Sequence, residues 1–128
     1  MNELKLRVAL PKDTKTIVEW LNADPKNLFD PNILEYPTLR VLCAYNGAPV
    51  AFLPTQKALF LESMAINPKA SDLERAQALR DLVKGAELLA SSDGIKEIYL
   101  FGEDERVLQI AEKRGFERLP WPLLRMKL

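Results

Sequence analysis

Apolar and polar positions change period several times along the chain, and each change marks an element. Leu4-Lys5-Leu6-Arg7-Val8-Ala9 alternates, which predicts a half-buried strand that Pro11 ends. Asp13 or Thr14 then caps a helix running to about Asn22, with Ile17, Val18, Trp20 and Leu21 as its apolar stripe. Alternation returns from Thr38 to Tyr45, with Leu39, Val41, Cys43 and Tyr45 on one face. Asn46-Gly47 is a tight-turn signal, so Pro49–Thr55 should pair back, and Pro54 marks a strand end or edge. A third consecutive strand is expected over Ala58–Ile66, closed by Asn67-Pro68.

Helical spacing takes over at Ser71 or Asp72. Ala76, Leu79, Leu82, Val83, Ala86, Leu89 and Ala90 recur on one side to about Ser91, and Ser92-Asp93-Gly94 turns the chain. Ile95–Phe101 reads as a strand, and Asp104–Arg114 as a helix stopped by Gly115. A final strand over Phe116–Leu119 and a hairpin completed by Leu123–Leu128 are expected. The Ala23–Pro37 segment, with Pro25, Pro31 and Pro37, is a loop with one short helix near Asn32–Glu35. Leu28, Phe29, Ile33, Leu34 and Tyr36 make it apolar, which suits either a lid on the core or a wall of a substrate site. The order β-α-(α)-β-β-β-α-β-α-β-β predicts an α/β (α+β) chain with a mixed, mostly antiparallel sheet and helices on both faces.

Composition narrows the chemistry. The 128 residues fit one domain, 1–128, and 48% are hydrophobic, enough for a core. Lys and Arg (18) balance Asp and Glu (18), so no net field favours nucleic acid or anionic lipid. The chain has no histidine, which removes imidazole acid–base chemistry and the commonest zinc ligand; no metal is expected. The single cysteine, Cys43, excludes an intrachain disulfide and reads as packing. No apolar run is long enough to span a bilayer, and Met1–Lys5 lacks a signal-peptide core, so a cytoplasmic location is expected.

Three stretches resemble one family. Leu59–Ile66 followed by Asn67-Pro68 is similar to the fourth strand of the GNAT (GCN5-related N-acetyltransferase) superfamily. Ala111-Glu112-Lys113-Arg114-Gly115-Phe116 is similar to its Tyr-Glu-Lys-x-Gly-Phe stretch, and Arg7-Val8-Ala9 before Pro11 and Asp13 resembles its opening. The resemblance implies that the fourth strand splays from the fifth and that acetyl-CoA is bound there as substrate. It implies hydrogen bonds from the backbone of Met64, Ala65 and Ile66 to the pantetheine arm, and a pyrophosphate on the N-terminus of the long helix.

The family's phosphate loop, Gln/Arg-x-x-Gly-x-Gly/Ala, aligns best with Arg75-Ala76-Gln77-Ala78-Leu79-Arg80, where Ala78 and Arg80 replace the glycines. A second register, from Ala70, puts Ser71 and Asp72 at the helix start. Arg75 or Lys69 would pair with phosphate. The family's acid tyrosine is Ala111 here; Tyr99 is the substitute, unless it is an ordinary strand aromatic. Glu62 is the base candidate, or else a solvent-facing residue. Glu103, Asp104 and Glu105 form an acidic run that would attract a cationic acceptor, or a solvated loop in which Asp104 caps a helix.

Three functions are compatible with this pattern. One is an acyl-CoA-dependent N-acetyltransferase acting on a small-molecule or peptide amine. Another is a GNAT-fold protein without activity, a binding or structural subunit of a larger assembly such as a viral particle, or a homo-oligomer, with Trp121, Pro122 and Leu123 as a contact surface. The third is an unrelated α/β domain with the same element order.

Overall fold

Gly47, at φ 71°, reverses the chain between β2 (Arg40–Asn46) and β3 (Ala48–Thr55), a conformation that glycine adopts without steric cost. β1 (Lys5–Val8) pairs antiparallel with β2, giving a three-stranded sheet in the order β1-β2-β3. The computed structural model describes residues 3–26, 30–102, 104–120 and 122–128. Leu28, Phe29, Glu103 and Trp121, singled out above, lie outside them.

The core sits under one face of this sheet. Val41 and Cys43 point inward and are buried, as the alternation predicts. Helix α1 (Thr14–Ala23) covers them with buried Ile17, and Trp20 packs on Phe52 with ring centroids 5.4 Å apart. A short 3₁₀ turn, Pro11–Asp13, leads into α1, and a second, Pro31–Glu35, sits where the loop's short helix is expected. Asp13 is buried beside Arg7, whose Nη1 donates to Oδ2 at 2.8 Å, and the Leu10 N–H donates to the same oxygen at 2.7 Å. On the opposite sheet face Leu6, Val8, Leu42 and Leu53 are all exposed, with no cover among the described residues.

The apolar run after β3 is not a third antiparallel strand. Only Leu59–Leu61 forms β4, and it pairs parallel with β5 (Ile98–Leu100) in a separate two-stranded sheet. Parallel pairing needs a long crossover, and the chain supplies it as helix α2 (Asp72–Ser92). α2 ends in a Schellman turn: the Ile95 N–H donates to Ala90 O (2.8 Å), the Gly94 N–H to Ser91 O (3.2 Å), and Gly94 has φ 70°. Its covered stripe, Leu79, Val83, Ala86 and Ala90, is narrower than the sequence suggests, because Ala76, Leu82 and Leu89 are exposed.

Helix α3 (Glu105–Lys113) starts on Asp104, whose Oδ1 accepts from the Arg106 N–H at 2.9 Å. It ends at Gly115 in a second Schellman turn, with Phe116 N–H donating to Ala111 O at 3.1 Å. The expected strand at Phe116–Leu119 and the terminal hairpin do not form among the described residues. Arg118 instead ties this segment back to α3, reaching Glu105 at 2.6 Å and Glu112 at 2.8 Å. The class is therefore α/β with antiparallel and parallel pairing, as expected.

Candidate functional site

β4 stops after Leu61, and the chain from Glu62 to Asn67 runs on without a strand partner. Among the described residues the backbone N–H groups of Met64, Ala65 and Ile66 make no hydrogen bond. Unpaired main chain of this kind offers donors and acceptors at a sheet edge. The chain then turns through Pro68–Ala70, where the Ala70 N–H donates to Asn67 O at 3.0 Å, and enters α2. Ser71 caps α2 in a reciprocal box: its Oγ accepts from the Glu74 N–H at 3.2 Å, and Glu74 Oε1 accepts from the Ser71 N–H at 3.1 Å.

Between this strand extension and the first turns of α2 lies a cleft of about 290 Å³. Met64, Ala65 and Ile66 line one side, and Ala70, Arg75, Ala78 and Leu82 the other. Met64, Ala65, Ile66, Arg75 and Ala78, all named from sequence, thus meet at one cleft. Ala76 and Gln77 lie on α2 but outside the lining.

The stretch Arg75–Arg80 is helix, not loop. Its backbone donors are committed inside α2, and the helix starts at Ser71–Asp72, the second of the two registers considered, where the capping box already takes the Ser71 and Glu74 N–H groups. Arg75 is near that start. Its Nε donates to Ala70 O and its Nη2 to Pro68 O, both at 3.2 Å, and no carboxylate pairs with it among the described residues. A guanidinium has five N–H donors, so three are left for an anion. Glu74 lines the same cleft with opposite sign, and the Ser71 backbone N–H holds its carboxyl below the usual carboxylate value.

Glu62 follows β4 directly, exposed, at the end of the strand nearest the cleft. Tyr99 is central in β5, opposite Phe60, and their rings stack at 5.2 Å; Phe101 also stacks on Phe60, at 5.6 Å. The Tyr99 hydroxyl donates to Glu97 Oε2 at 3.2 Å. Burial first, and then the charge of Glu97, raise the Tyr99 phenol above its ordinary value. Burial and the same carboxylate also raise Tyr36.

Sequence reasoning missed the group around Glu97. Gln56, just past β3, donates from Nε2 to Glu97 Oε2 at 3.5 Å, and its own Oε1 is shielded without a partner. Tyr36, from the apolar loop, lies within electrostatic reach. Nothing in the local pattern links positions 36, 56 and 97; Gln56 meets Glu97 because β4, which follows it, pairs parallel with β5. Among the described residues no cluster of carboxylates and cysteine is arranged to hold a metal, and no helix is long and apolar enough to cross a membrane.

No family model matches the chain, and no curated protein matches it in sequence. Among solved structures, the chain is similar to an aminoglycoside 6′-N-acetyltransferase in complex with the bisubstrate analogue CoA-S-monomethyl-acetylneamine, with 14% identity over 99% of both chains and a TM-score of 0.41. It is similar to an apo aminoglycoside 6′-N-acetyltransferase from Acinetobacter haemolyticus, with 18% identity over 97% of this chain and 98% of that one, TM-score 0.38. It is also similar to a ribosomal-protein-alanine N-acetyltransferase from Brucella melitensis biovar Abortus 2308, with 10% identity over 99% of this chain and 100% of that one, TM-score 0.35.

Proposed function

We propose that the protein is a cytoplasmic, acyl-CoA-dependent N-acetyltransferase that moves an acetyl group to an amine. One observation carries the reading: unpaired backbone at Met64–Ile66 faces Arg75 and the first turns of α2 across a single, mostly apolar cleft. An acyl-pantetheine chain has the complementary form, amides along an apolar arm with phosphate at one end. In this reading Met64, Ala65 and Ile66 hydrogen-bond the arm, Arg75 pairs with phosphate, and Ala76, Gln77 and Ala78 flank it on α2. Glu74 is the one lining group that opposes an anion.

The chemistry needs little else. Direct transfer forms a C–N bond at the thioester carbonyl and breaks the C–S bond. The amine loses its proton to Glu62, and the departing thiolate gains one from Tyr99, which solvent reprotonates. The raised Tyr99 pKa keeps that phenol protonated at neutral pH. Holding amine and thioester in register supplies much of the acceleration by itself.

The test is calorimetric titration with acetyl-CoA, with free CoA as control, followed by mass spectrometry of an amine mixture incubated with the loaded protein. Saturable binding and an acetylated product are expected; absence of heat at millimolar acetyl-CoA ends the reading.

A second reading is favoured by the uncovered sheet face. Leu6, Val8, Leu42 and Leu53 form a contiguous apolar surface across three strands, as a binding or structural module would. A chain that self-associates or docks through this face, and ignores acetyl-CoA, would support it.

A further inference from the structure

Tyr99 does not hold its hydroxyl alone. The hydroxyl donates to Glu97 Oε2 at 3.2 Å, and Gln56 Nε2 donates to the same oxygen at 3.5 Å. Glu97 is half-buried, and its carbonyl accepts from the Leu59 N–H at 3.2 Å, which pins it to the start of β4. Among the described residues no lysine or arginine lies within ion-pair distance of its carboxylate. Gln56 Oε1 is shielded without a partner, and neither side chain lines the cleft. A corner closed in this way offers nothing to a ligand. It fixes a neighbour instead, and the neighbour is the Tyr99 oxygen.

Phe60 stacks on the Tyr99 ring with centroids 5.2 Å apart and planes 20° apart. The ring is thus held by its face and the hydroxyl by its oxygen. In the acetyltransferase reading, the acyl arm runs from Arg75 past Ile66, Ala65 and Met64 towards Glu62, which follows β4 directly. The last residue of β4, Leu61, is in register with Leu100, the neighbour of Tyr99. The thioester end of the arm is then the end nearest Tyr99.

We propose that Glu97 is a positioning residue: it aims the Tyr99 hydroxyl and leaves the proton on it until the thiolate departs. This rests on the acetyltransferase reading. A carboxyl ordinarily titrates at about 4.3 and a phenol at about 10, so Glu97 accepts the hydrogen bond without taking the proton. A thiolate, at about 8.5, is a much stronger base than a carboxylate. As the C–S bond breaks, its electron pair stays on sulfur, and the Tyr99 proton passes to that sulfur. The phenolate left behind faces the Glu97 charge and takes a proton back from solvent. Glu97 and Tyr36 are the ionisable groups that act on Tyr99, and both favour its protonated form.

The experiment is a double-mutant cycle in acetyl-transfer kinetics, with an amine that the protein acetylates and with acetyl-CoA binding followed by calorimetry. Glu97→Ala should lower kcat about 10-fold, the size of one hydrogen bond to a charged group, and leave acetyl-CoA affinity unchanged. Added to Tyr99→Phe, the same change should have no further effect, because a residue that acts through the hydroxyl has nothing left to hold. Glu97→Gln keeps an acceptor of the same shape and should recover part of the loss, which reads the contact even where Glu97→Ala folds poorly. Losses that add in the double variant overturn the proposal, as does an unchanged kcat in Glu97→Ala. Full activity in Tyr99→Phe overturns it too and leaves acetyl transfer standing. Absence of heat with acetyl-CoA overturns both the proposal and the reading beneath it.

Discussion

Arg7 and Asp13 meet in a two-point ion pair, Nη1 to Oδ2 at 2.8 Å and Nη2 to Oδ1 at 3.3 Å, which fixes the end of β1 to the start of α1. The Arg7 hydrogen bond, and then the Leu10 N–H, hold the Asp13 carboxyl below its ordinary value of 3.8. A depressed carboxyl stabilises the fold above its ordinary value and ceases to do so as pH falls through its lowered one. Asp13→Asn should therefore melt below the unaltered protein at neutral pH, and the gap should close as pH falls below 3.8. Thermal melts followed by circular dichroism across that range check it. A gap that stays constant would mean that the charge contributes nothing.

The cap of α2 is a separate stabilising contact. Ser71→Ala removes an oxygen that accepts from Glu74 N–H, and should cost about 1 kcal/mol. Urea unfolding reads it directly, with an unchanged m-value expected.

Arg75 and Glu74 line the same cleft with opposite charges, so their substitutions should act in opposite directions on acetyl-CoA. Arg75→Ala should weaken binding by roughly 10-fold or more, as expected for losing a charged hydrogen-bond donor. Glu74→Gln should strengthen it by removing a repelling charge. Calorimetry at two salt concentrations tests both, since the Glu74 effect should shrink at high salt. Weaker binding in Glu74→Gln would place the phosphates elsewhere.

Glu62→Gln should slow acetyl transfer by about 100-fold or more while leaving acetyl-CoA affinity unchanged, the pattern of a lost general base. Steady-state kinetics with an amine that the protein acetylates separates the two quantities. Unchanged turnover would remove Glu62 as base.

Local signals in the sequence mapped to local structure. Ser71 with Glu74, Asp104, Gly94 and Gly115 bound α2 and α3, because caps act over a few residues and leave a readable spacing. Gly47 fixes the β2–β3 turn in the same way. The partner of β4 was not legible. Leu59-Phe60-Leu61 is equally apolar towards either neighbour, and the choice of β5 over β3 depends on how α2 crosses over. The C-terminal alternation around Leu123–Leu128 likewise carries no information about a partner strand. Of the site, the cleft lining at Met64–Ile66 and Arg75 followed from the family resemblance. Gln56 and Glu97 did not, since their meeting requires the parallel pairing that the pattern left undetermined.

The cleft is assembled from one uninterrupted stretch, Met64 to Leu82. Its walls are near neighbours in the chain, whereas the sheet must bring β1 to β2 across a longer loop, from Lys5 to Tyr45. Short loops close faster than long ones, so the cleft is positioned to organise early in folding, before the sheet is complete. A chain released from synthesis with its sheet unfinished would then already carry the outline of its binding groove.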